Sequence, residues 1–263
     1  MEGRRGSHAF FIGVILLAAA IYLLLILPTQ WVKVESVRAN IGVGLRILQI
    51  SDLHVDMLRV SPSALKRIIH DAKPDYILLT GDYTYREAYL PRLEQYVRMI
   101  ASCGIPAYAV LGNHDYEFPR VKRIIGLFRA NGIPVLRNES IQLPRFQLVG
   151  IDNSSTGHSR PTRAFKHVVR KNGKPVIVMT HDPNVILTMS EQFHYMMAGH
   201  FHGKQLNIPF FFKLKSKGPL PDRGIYKGVH QHALGKFYIS KGIGQAGVNA
   251  RFLVRSEVTI HDL

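Results

Sequence analysis

The run Leu45-Arg46-Ile47-Leu48-Gln49-Ile50-Ser51-Asp52-Leu53-His54 decides how this chain folds. A mostly apolar segment of strand length leads straight into an Asp-x-His pair, so the polar residues sit where a strand ends. The pattern recurs. Residues 76–80 lead into Gly81-Asp82, and 107–111 into Gly112-Asn113-His114-Asp115. Residues 176–180 lead into His181, and 195–198 into Gly199-His200-Phe201-His202-Gly203. Further apolar runs occupy 146–151 and 237–240. Several are apolar throughout, as strands buried on both faces are. Helical patterns separate the early runs. Ser61-Pro62 supplies an N-cap and a first-turn proline for 64–72, while 87–103 stops at Gly104 and 119–130 at Asn131-Gly132. This alternation predicts an α/β domain, with largely parallel strands early and a mixed or antiparallel sheet toward the C-terminus.

The 263 residues carry a formal net charge of +16, with 46% hydrophobic and 20% charged residues, which excludes a disordered chain. A single cysteine, Cys103, excludes a disulfide framework, a cysteine-based zinc site and a CxxC redox centre. The basic balance favours polyanionic partners: phosphate esters, nucleic acid or an anionic membrane surface. Residues 9–27 contain no charge, and as a helix they would be roughly 28 Å long, close to the hydrocarbon thickness of a bilayer. Pro28, a helix breaker, and Trp31, an interfacial aromatic, follow. We read an uncleaved single-pass anchor rather than a cleaved signal peptide. Ala18-Ala19-Ala20 lies mid-segment and 23–27 is too bulky for cleavage. Arg4 and Arg5 on one side, against Lys33, Arg38 and Arg46 on the other, leave its orientation open. The expected organisation is a tail (1–8), an anchor (9–27), a linker (28–44) and one catalytic-size domain (45–263).

Carboxyl ends of parallel strands converge on one sheet edge. The five ends would therefore gather carboxylates of Asp52, Asp82 and Asp115, the Asn113 amide, and the rings of His54, His114, His181, His200 and His202. Such mixed donors suit Mn²⁺, Fe²⁺ or Zn²⁺ better than Ca²⁺. One carboxylate can bridge two ions ~3.5–4 Å apart, which share a hydroxide and neutralise charge on phosphorus. An imidazole free of metal can protonate the leaving oxygen. No Gly-rich loop ending in Lys-Ser/Thr and no GxSxG turn is present, so NTPase and serine-hydrolase chemistry lack support.

The ordered series Asp52-x-His54, Gly81-Asp82, Gly112-Asn113-His114-Asp115, His181, Gly199-His200-x-His202 resembles the calcineurin-like metallophosphoesterases across residues 45–263. Within them it is similar to membrane-associated bacterial phosphohydrolases, both UDP-2,3-diacylglucosamine pyrophosphatase-like and phosphodiesterase members. Thr180-His181-Asp182-Pro183-Asn184, Ser240-Lys241-Gly242-Ile243-Gly244 and Ser256-Glu257-Val258-Thr259-Ile260 share in the likeness. The resemblance implies a four-layer αββα sandwich of two mixed sheets behind the N-terminal transmembrane helix. It also implies two divalent cations, with Mn²⁺ first and Fe or Zn²⁺ as alternatives. Asp52, His54, Asp82 and His202 would hold one; Asp82, Asn113, His181 and His200 would hold the other, with Asp82 bridging. By the same resemblance His114 faces the phosphate and Asp115 orients its ring. Two residues depart from the family pattern, Phe201 and Lys204, where small residues are usual. Phe201 should make the pocket rim apolar, and Lys204 should touch phosphate or point to solvent.

Other residues carry blander expectations. His70, His158, His167, His194, His230, His232 and His261 are read as surface or packing residues, Asp56 and Asp152-Asn153 as turns, and Cys103 as inert core. Residues 204–235 combine Lys204, Lys213, Lys215, Lys217, Arg223 and Lys227 with the aromatic run Phe210-Phe211-Phe212, which could meet an anionic lipid surface or an acyl chain. The expected function is a phosphohydrolase tethered to the bilayer of the bacterial inner membrane. It would cleave a phosphodiester or pyrophosphate in a lipid-linked substrate such as UDP-2,3-diacylglucosamine or a phospholipid. The alternatives are a metal-dependent nuclease, favoured by charge but opposed by the anchor and the lack of a nucleic-acid module, and a small-molecule phosphodiesterase. A scaffold without chemistry conflicts with an intact His114 and seven intact ligands.

Overall fold

Every apolar run named above becomes a strand in the computed structural model, which describes residues 2–208 and 217–263. The strands are β1 (Lys33–Arg38), β2 (Arg46–Ile50), β3 (Tyr76–Thr80), β4 (Ala107–Val110), β5 (Glu139–Gln142), β6 (Gln147–Gly150), β7 (Val176–Met179), β8 (Tyr195–Ala198), β9 (Gly228–His232), β10 (Gly235–Ile239) and β11 (Glu257–Asp262). They build two sheets, ordered β1-β11-β2-β3-β4 and β5-β6-β7-β8-β10-β9. In the first, β2, β3 and β4 are parallel, β11 is antiparallel to β2, and β1 runs parallel to β11. In the second, β6, β7, β8 and β10 are parallel, with β5 and β9 antiparallel at the edges. Both sheets are mixed, as the resemblance implies.

The period-two alternation of side chains explains the layers. Leu48, Ile50, Ile77 and Leu79 face one way from the first sheet. There they bury Leu65 and Ile69 of a helix at Pro62–Ala72, Leu93 and Val97 of one at Leu90–Ala101, and Phe128 of one at Val121–Ala130. Ile47, Leu78 and Val110 face the other way and meet Leu148, Ile177, Met179 and Met197 of the second sheet. Val149, Val178, Met196 and Ile239 on the far side of that sheet pack against Phe165, Val185 and Leu220. The Pro62–Ala72 helix starts as its sequence predicts: the Ser61 hydroxyl accepts from the Ala64 N–H at 3.2 Å and Pro62 fills the first turn.

Two boundaries need correction. The stretch 28–44 is not a simple linker, because β1 lies inside it and pairs residue for residue with β11, from Lys33↔Glu257 to Arg38↔Asp262. As a half-exposed edge strand rich in charge it carries little apolar signal. Nor does Pro28 end the helix. Helix Glu2–Ile21 continues through a π-turn at Tyr22–Ile26 into Leu27–Gln30, and the wider turn accommodates the proline, which has no N–H to give back. Within it His8–Gln30 is long and apolar enough to cross a membrane.

A buried polar network stitches the two sheets together. Gln49 donates to the Thr80 hydroxyl at 3.0 Å and to the Ala198 carbonyl at 2.9 Å, leaving its own oxygen for His261 Nε2 at 3.1 Å. Tyr195 Oη meets the other ring nitrogen at 3.0 Å. Burial pushes His261 down to about 3, from an ordinary 6.5. The neutral ring therefore favours the folded state above pH 6.5, and this contribution fades as pH falls toward 3 because only the unfolded chain takes the proton. Denaturant unfolding across that window should lose ~1.4 kcal/mol per pH unit through this one proton. In His261→Asn the slope should drop by about one proton; an unchanged slope would assign the acid sensitivity elsewhere.

Candidate metal centre

The two sheets present their strand ends to each other, and the motif residues meet there. Asp52 and His54 follow β2, Asp82 follows β3, and Asn113 and His114 open a short helix, Asn113–Glu117, after β4. From the opposite sheet come His181 after β7 and His200 and His202 after β8. Asp52, His54, Asp82 and His202 bring ligand atoms within 4.8 Å of one another, and so do Asp82, His181 and His200. Asp82 belongs to both sets. Its Oδ2 lies 3.1 Å from His181 Nε2 and 3.4 Å from His54 Nε2, while its Oδ1 accepts the His114 N–H at 2.9 Å. His202 Nε2 lies 3.2 Å from Asp52 Oδ1. Asn113 joins them at the lining of an adjacent cavity of about 350 Å³.

Strain and close approach both concentrate here. Among the described residues ten non-glycine positions have positive φ, and five of them are Asp52, His54, Asp82, His200 and His202. That conformation is costly without a compensating function. At Gly112 and Gly199 a methyl group would fall on Asp82 Oδ1 and on Ser51 Oγ respectively, so the backbone must approach unshielded.

The donor set fits a metal. Both ring nitrogens of His54 and of His202, and Asn113 Oδ1, are buried without a hydrogen-bond partner among the described residues. Buried polar atoms without partners are costly, and a cation would take the one lone pair that each neutral ring offers and that of the amide oxygen. Burial works against charge on Asp82, but the His181 and His54 rings outweigh it and hold the carboxyl well below the usual range. Burial likewise opposes a charged His181, yet Asp82, with Asp52 and the Thr80 carbonyl, lifts that ring to about 10, so a cation held there would have to displace the Nε2 proton. Its Nδ1 faces the Thr80 carbonyl at 2.8 Å, which leaves Nε2 directed at Asp82. His200 and His202 are pushed the other way, by burial and then by the Lys217 ammonium, so both stay neutral and able to ligate.

The resemblance gives Asp115 the role of orienting His114; among the described residues its carboxylate makes no hydrogen bond to that ring. Instead it accepts from the backbone N–H groups of Gly112 at 2.8 Å, Asp82 at 3.0 Å and Tyr83 at 2.8 Å, and so fixes the turn carrying Asp82. Glu117 is the carboxylate beside His114, at 3.1 Å from Nδ1. Phe201 is buried against the outer core of the second sheet and also lines the cavity. The Lys204 ammonium lies 4.2 Å from the Tyr226 ring centre. Lys217 lines the cavity and donates to the His200 carbonyl at 2.7 Å. Asp152 stays out of both donor sets, held by Tyr116 Oη and by Arg137 at 2.9 Å. Asp56 accepts from Thr84 rather than facing solvent freely. The run Phe210-Phe211-Phe212, with Lys213 and Lys215, lies outside the described residues.

A family model, the calcineurin-like phosphoesterases, matches residues 45–214. The chain belongs to that family. It is 37% identical to YkoQ of Bacillus subtilis (strain 168), an uncharacterized metallophosphoesterase, over 89% of this chain and 92% of the relative. It is 31% identical to the phosphodiesterase YaeI of Escherichia coli (strain K12), over 83% of this chain and 82% of that one. It is 25% identical to LpxG of Chlamydia trachomatis serovar D, a UDP-2,3-diacylglucosamine pyrophosphatase, over 76% of this chain and 78% of that one. This phosphoesterase is therefore a metal-dependent phosphoester hydrolase by family, with a buried Asp/His cluster to match. Three residues around its cluster escape a reading by motif. Glu117 carries a helical i,i+3 signal relative to His114, and Gln205 closes the His200–His202 loop. Lys217 carries only the signal of the basic segment 204–235, which does not place it at the cavity.

Proposed function

We propose that this phosphoesterase is anchored in a membrane and uses two divalent cations to cleave a phosphodiester or pyrophosphate bond in a lipid-linked substrate. UDP-2,3-diacylglucosamine or a phospholipid is the expected kind. The observation that carries the two-cation part is Asp82 standing in both buried donor sets. On this reading Asp52, His54, Asp82 and His202 hold one cation, and Asp82, Asn113, His181 and His200 the other. Mn²⁺ is our first assignment, and Fe or Zn²⁺ suits the same donors. Bound cations would supply an acidified water and neutralise charge on phosphorus.

The protein's own side chains do the rest. His114, with 23% of its side chain exposed, sits at the cavity and is fixed through its N–H on Asp82. Glu117 engages Nδ1, which leaves Nε2 to give a proton to the departing oxygen. Lys217 adds a positive charge for the phosphate at the cavity wall. Asp115 acts through the backbone by holding the Asp82 turn. The apolar helix His8–Gln30 and the likeness to LpxG support the membrane and lipid-linked parts, while the likeness to YaeI supports a phosphodiesterase of smaller substrates as the second reading.

His114→Ala should lower turnover of bis-p-nitrophenyl phosphate with Mn²⁺ by about 10²–10³-fold while the metal content per chain stays unchanged. A variant that turns over normally would remove His114 from the chemistry. Mass-spectrometric profiling of a membrane extract before and after exposure to the enzyme separates the substrate classes: loss of a lipid-linked species supports the first reading, loss of only soluble diesters the second.

A further inference from the structure

We infer that the loop 245–255 rests on the bilayer surface, so that the mouth of the metal-lined cavity opens at the membrane interface. This rests on the anchor reading of helix His8–Gln30 and goes beyond it, since a tether alone does not orient a domain.

The helix is not joined to the domain by a free hinge. The Leu25 carbonyl accepts the Arg251 N–H at 2.9 Å, and the Pro28 carbonyl accepts the Ser256 N–H at 2.9 Å. Ser256 Oγ donates to the Thr29 carbonyl at 3.1 Å. The Arg255 guanidinium reaches the Trp31 carbonyl at 3.0 Å and lies 3.7 Å from the Trp31 ring centre. Leu25 lies within the apolar segment, ~7 Å along the axis from the helix end at Gln30. A loop bonded at that level stands at the depth of the span's last turn, so it cannot be clear of the lipid when the helix is inserted.

What the loop displays suits that position. Leu253 is 69% exposed and Val248 is 52% exposed. Leu253 also holds a φ of +57°, a conformation costly for leucine. Trp31 beside them is 59% exposed, with Arg255 at its face, the pairing of aromatic and basic groups expected at a headgroup layer. The other end of the loop reaches the chemistry. Ala246, Gly247 and Val248 line the cavity that Asn113 and His114 also line. Gln205, in the loop that carries His200 and His202, donates to the Val248 carbonyl at 2.6 Å and accepts from the Ala246 N–H at 3.0 Å. One short loop thus ties the membrane span to the metal-binding turn, and a substrate whose acyl part stays in lipid could present its phosphate without leaving the bilayer.

The test uses the full chain with Cys103→Ser and single cysteines at Leu16, Val248, Leu253 or Val229. Each is labelled with an environment-sensitive fluorophore and reconstituted in phosphatidylcholine–phosphatidylglycerol vesicles containing lipid with a nitroxide near the headgroup. Val229, 48% exposed on edge strand β9, is the control for an apolar site away from the loop. Labels at Val248 and Leu253 should be quenched threefold or more relative to the label at Val229. Quenching equal to that at Val229, quenching at Leu253 without Val248, or a blue shift without lipid quenching (a second copy covering the loop) would each overturn the inference. Leu16 separates the causes: a label there that senses lipid while Leu253 does not leaves the anchor standing, and one that does not sense lipid removes both. Hydrolysis plays no part in the readout, so failure here is distinct from failure of the proposed chemistry.

Discussion

Asp82→Ala should lower kcat/KM for bis-p-nitrophenyl phosphate on the order of 10³-fold or more, and on the proposed two-cation reading metal content should fall to one ion per chain or none. The expectation follows from the geometry. One carboxylate serves His181 at 3.1 Å, His54 at 3.4 Å and the His114 N–H at 2.9 Å, and among the described residues no other belongs to both donor sets. Removing it takes a shared ligand and the main counter-charge of the cluster at once, and ~4 kcal/mol of lost transition-state stabilisation is already a thousandfold in rate. Asp82→Asn keeps the shape and one acceptor but loses the charge, so it should fail nearly as badly if bridging is the role. Asp152→Asn is the control, an equally buried carboxylate at a strand end of the other sheet that is held by Tyr116 and Arg137. It should retain both metals. Metal analysis of the purified proteins beside the rate assay decides the matter: Asp82→Ala with two tightly held ions would sink the shared-ligand reading.

The residues of the two buried donor sets were legible in the sequence because two independent signals coincide there. A fully buried strand announces itself by unbroken hydrophobicity, and a carboxylate or imidazole directly after it has nowhere to go but the sheet edge. What was not legible has equally physical causes. Edge strands such as β1, Lys33–Arg38, and β9, Gly228–His232, are half exposed, so their patterns are polar and look like loop. The resemblance gives Asp115 the role of orienting His114, and the geometry of the helix that carries both residues adds what the motif does not state. On a helix, neighbours i and i+1 point apart, whereas i and i+3 share a face, so it is Glu117 that reaches His114 while Asp115 turns back to cap the Asp82 turn. Gln49 and His261 meet across more than two hundred residues of chain, and no local pattern encodes such a contact. The Lys217 ammonium at the cavity wall is of the same kind.

Arg251→Met should destabilise the fold by about 3–5 kcal/mol, lowering Tm on the order of 10 °C, even though Arg251 belongs to neither donor set. Its guanidinium is wholly buried. Nη2 donates to the carbonyls of Lys241 at 2.9 Å, Gly242 at 2.9 Å and Gly244 at 2.6 Å, and Nη1 to that of Arg255 at 3.2 Å. Burial drags the group down to about 10, against the pull of Asp52 and Glu257, so it remains charged at neutral pH. Methionine fills the space but takes the guanidinium donor from the carbonyls of Lys241, Gly244 and Arg255, of which the Gly244 bond is buried, while the Gly242 carbonyl keeps the Glu257 N–H at 2.9 Å. Arg251→Lys keeps the charge yet cannot span the fork, so roughly half the loss should persist. The damage should also be directional. The turn that Arg251 holds backs onto Asp52, through the Ile243 N–H to the Ser51 carbonyl at 3.0 Å and the Gly244 N–H to the Asp52 carbonyl at 2.8 Å. Metal affinity at the Asp52, His54 and His202 side should therefore weaken before that at the His181 and His200 side. Calorimetry with a stepwise Mn²⁺ titration separates the effects. Equal weakening of both sites would mean that Arg251 supports the domain as a whole, and unchanged binding with a lowered Tm would confine its role to stability.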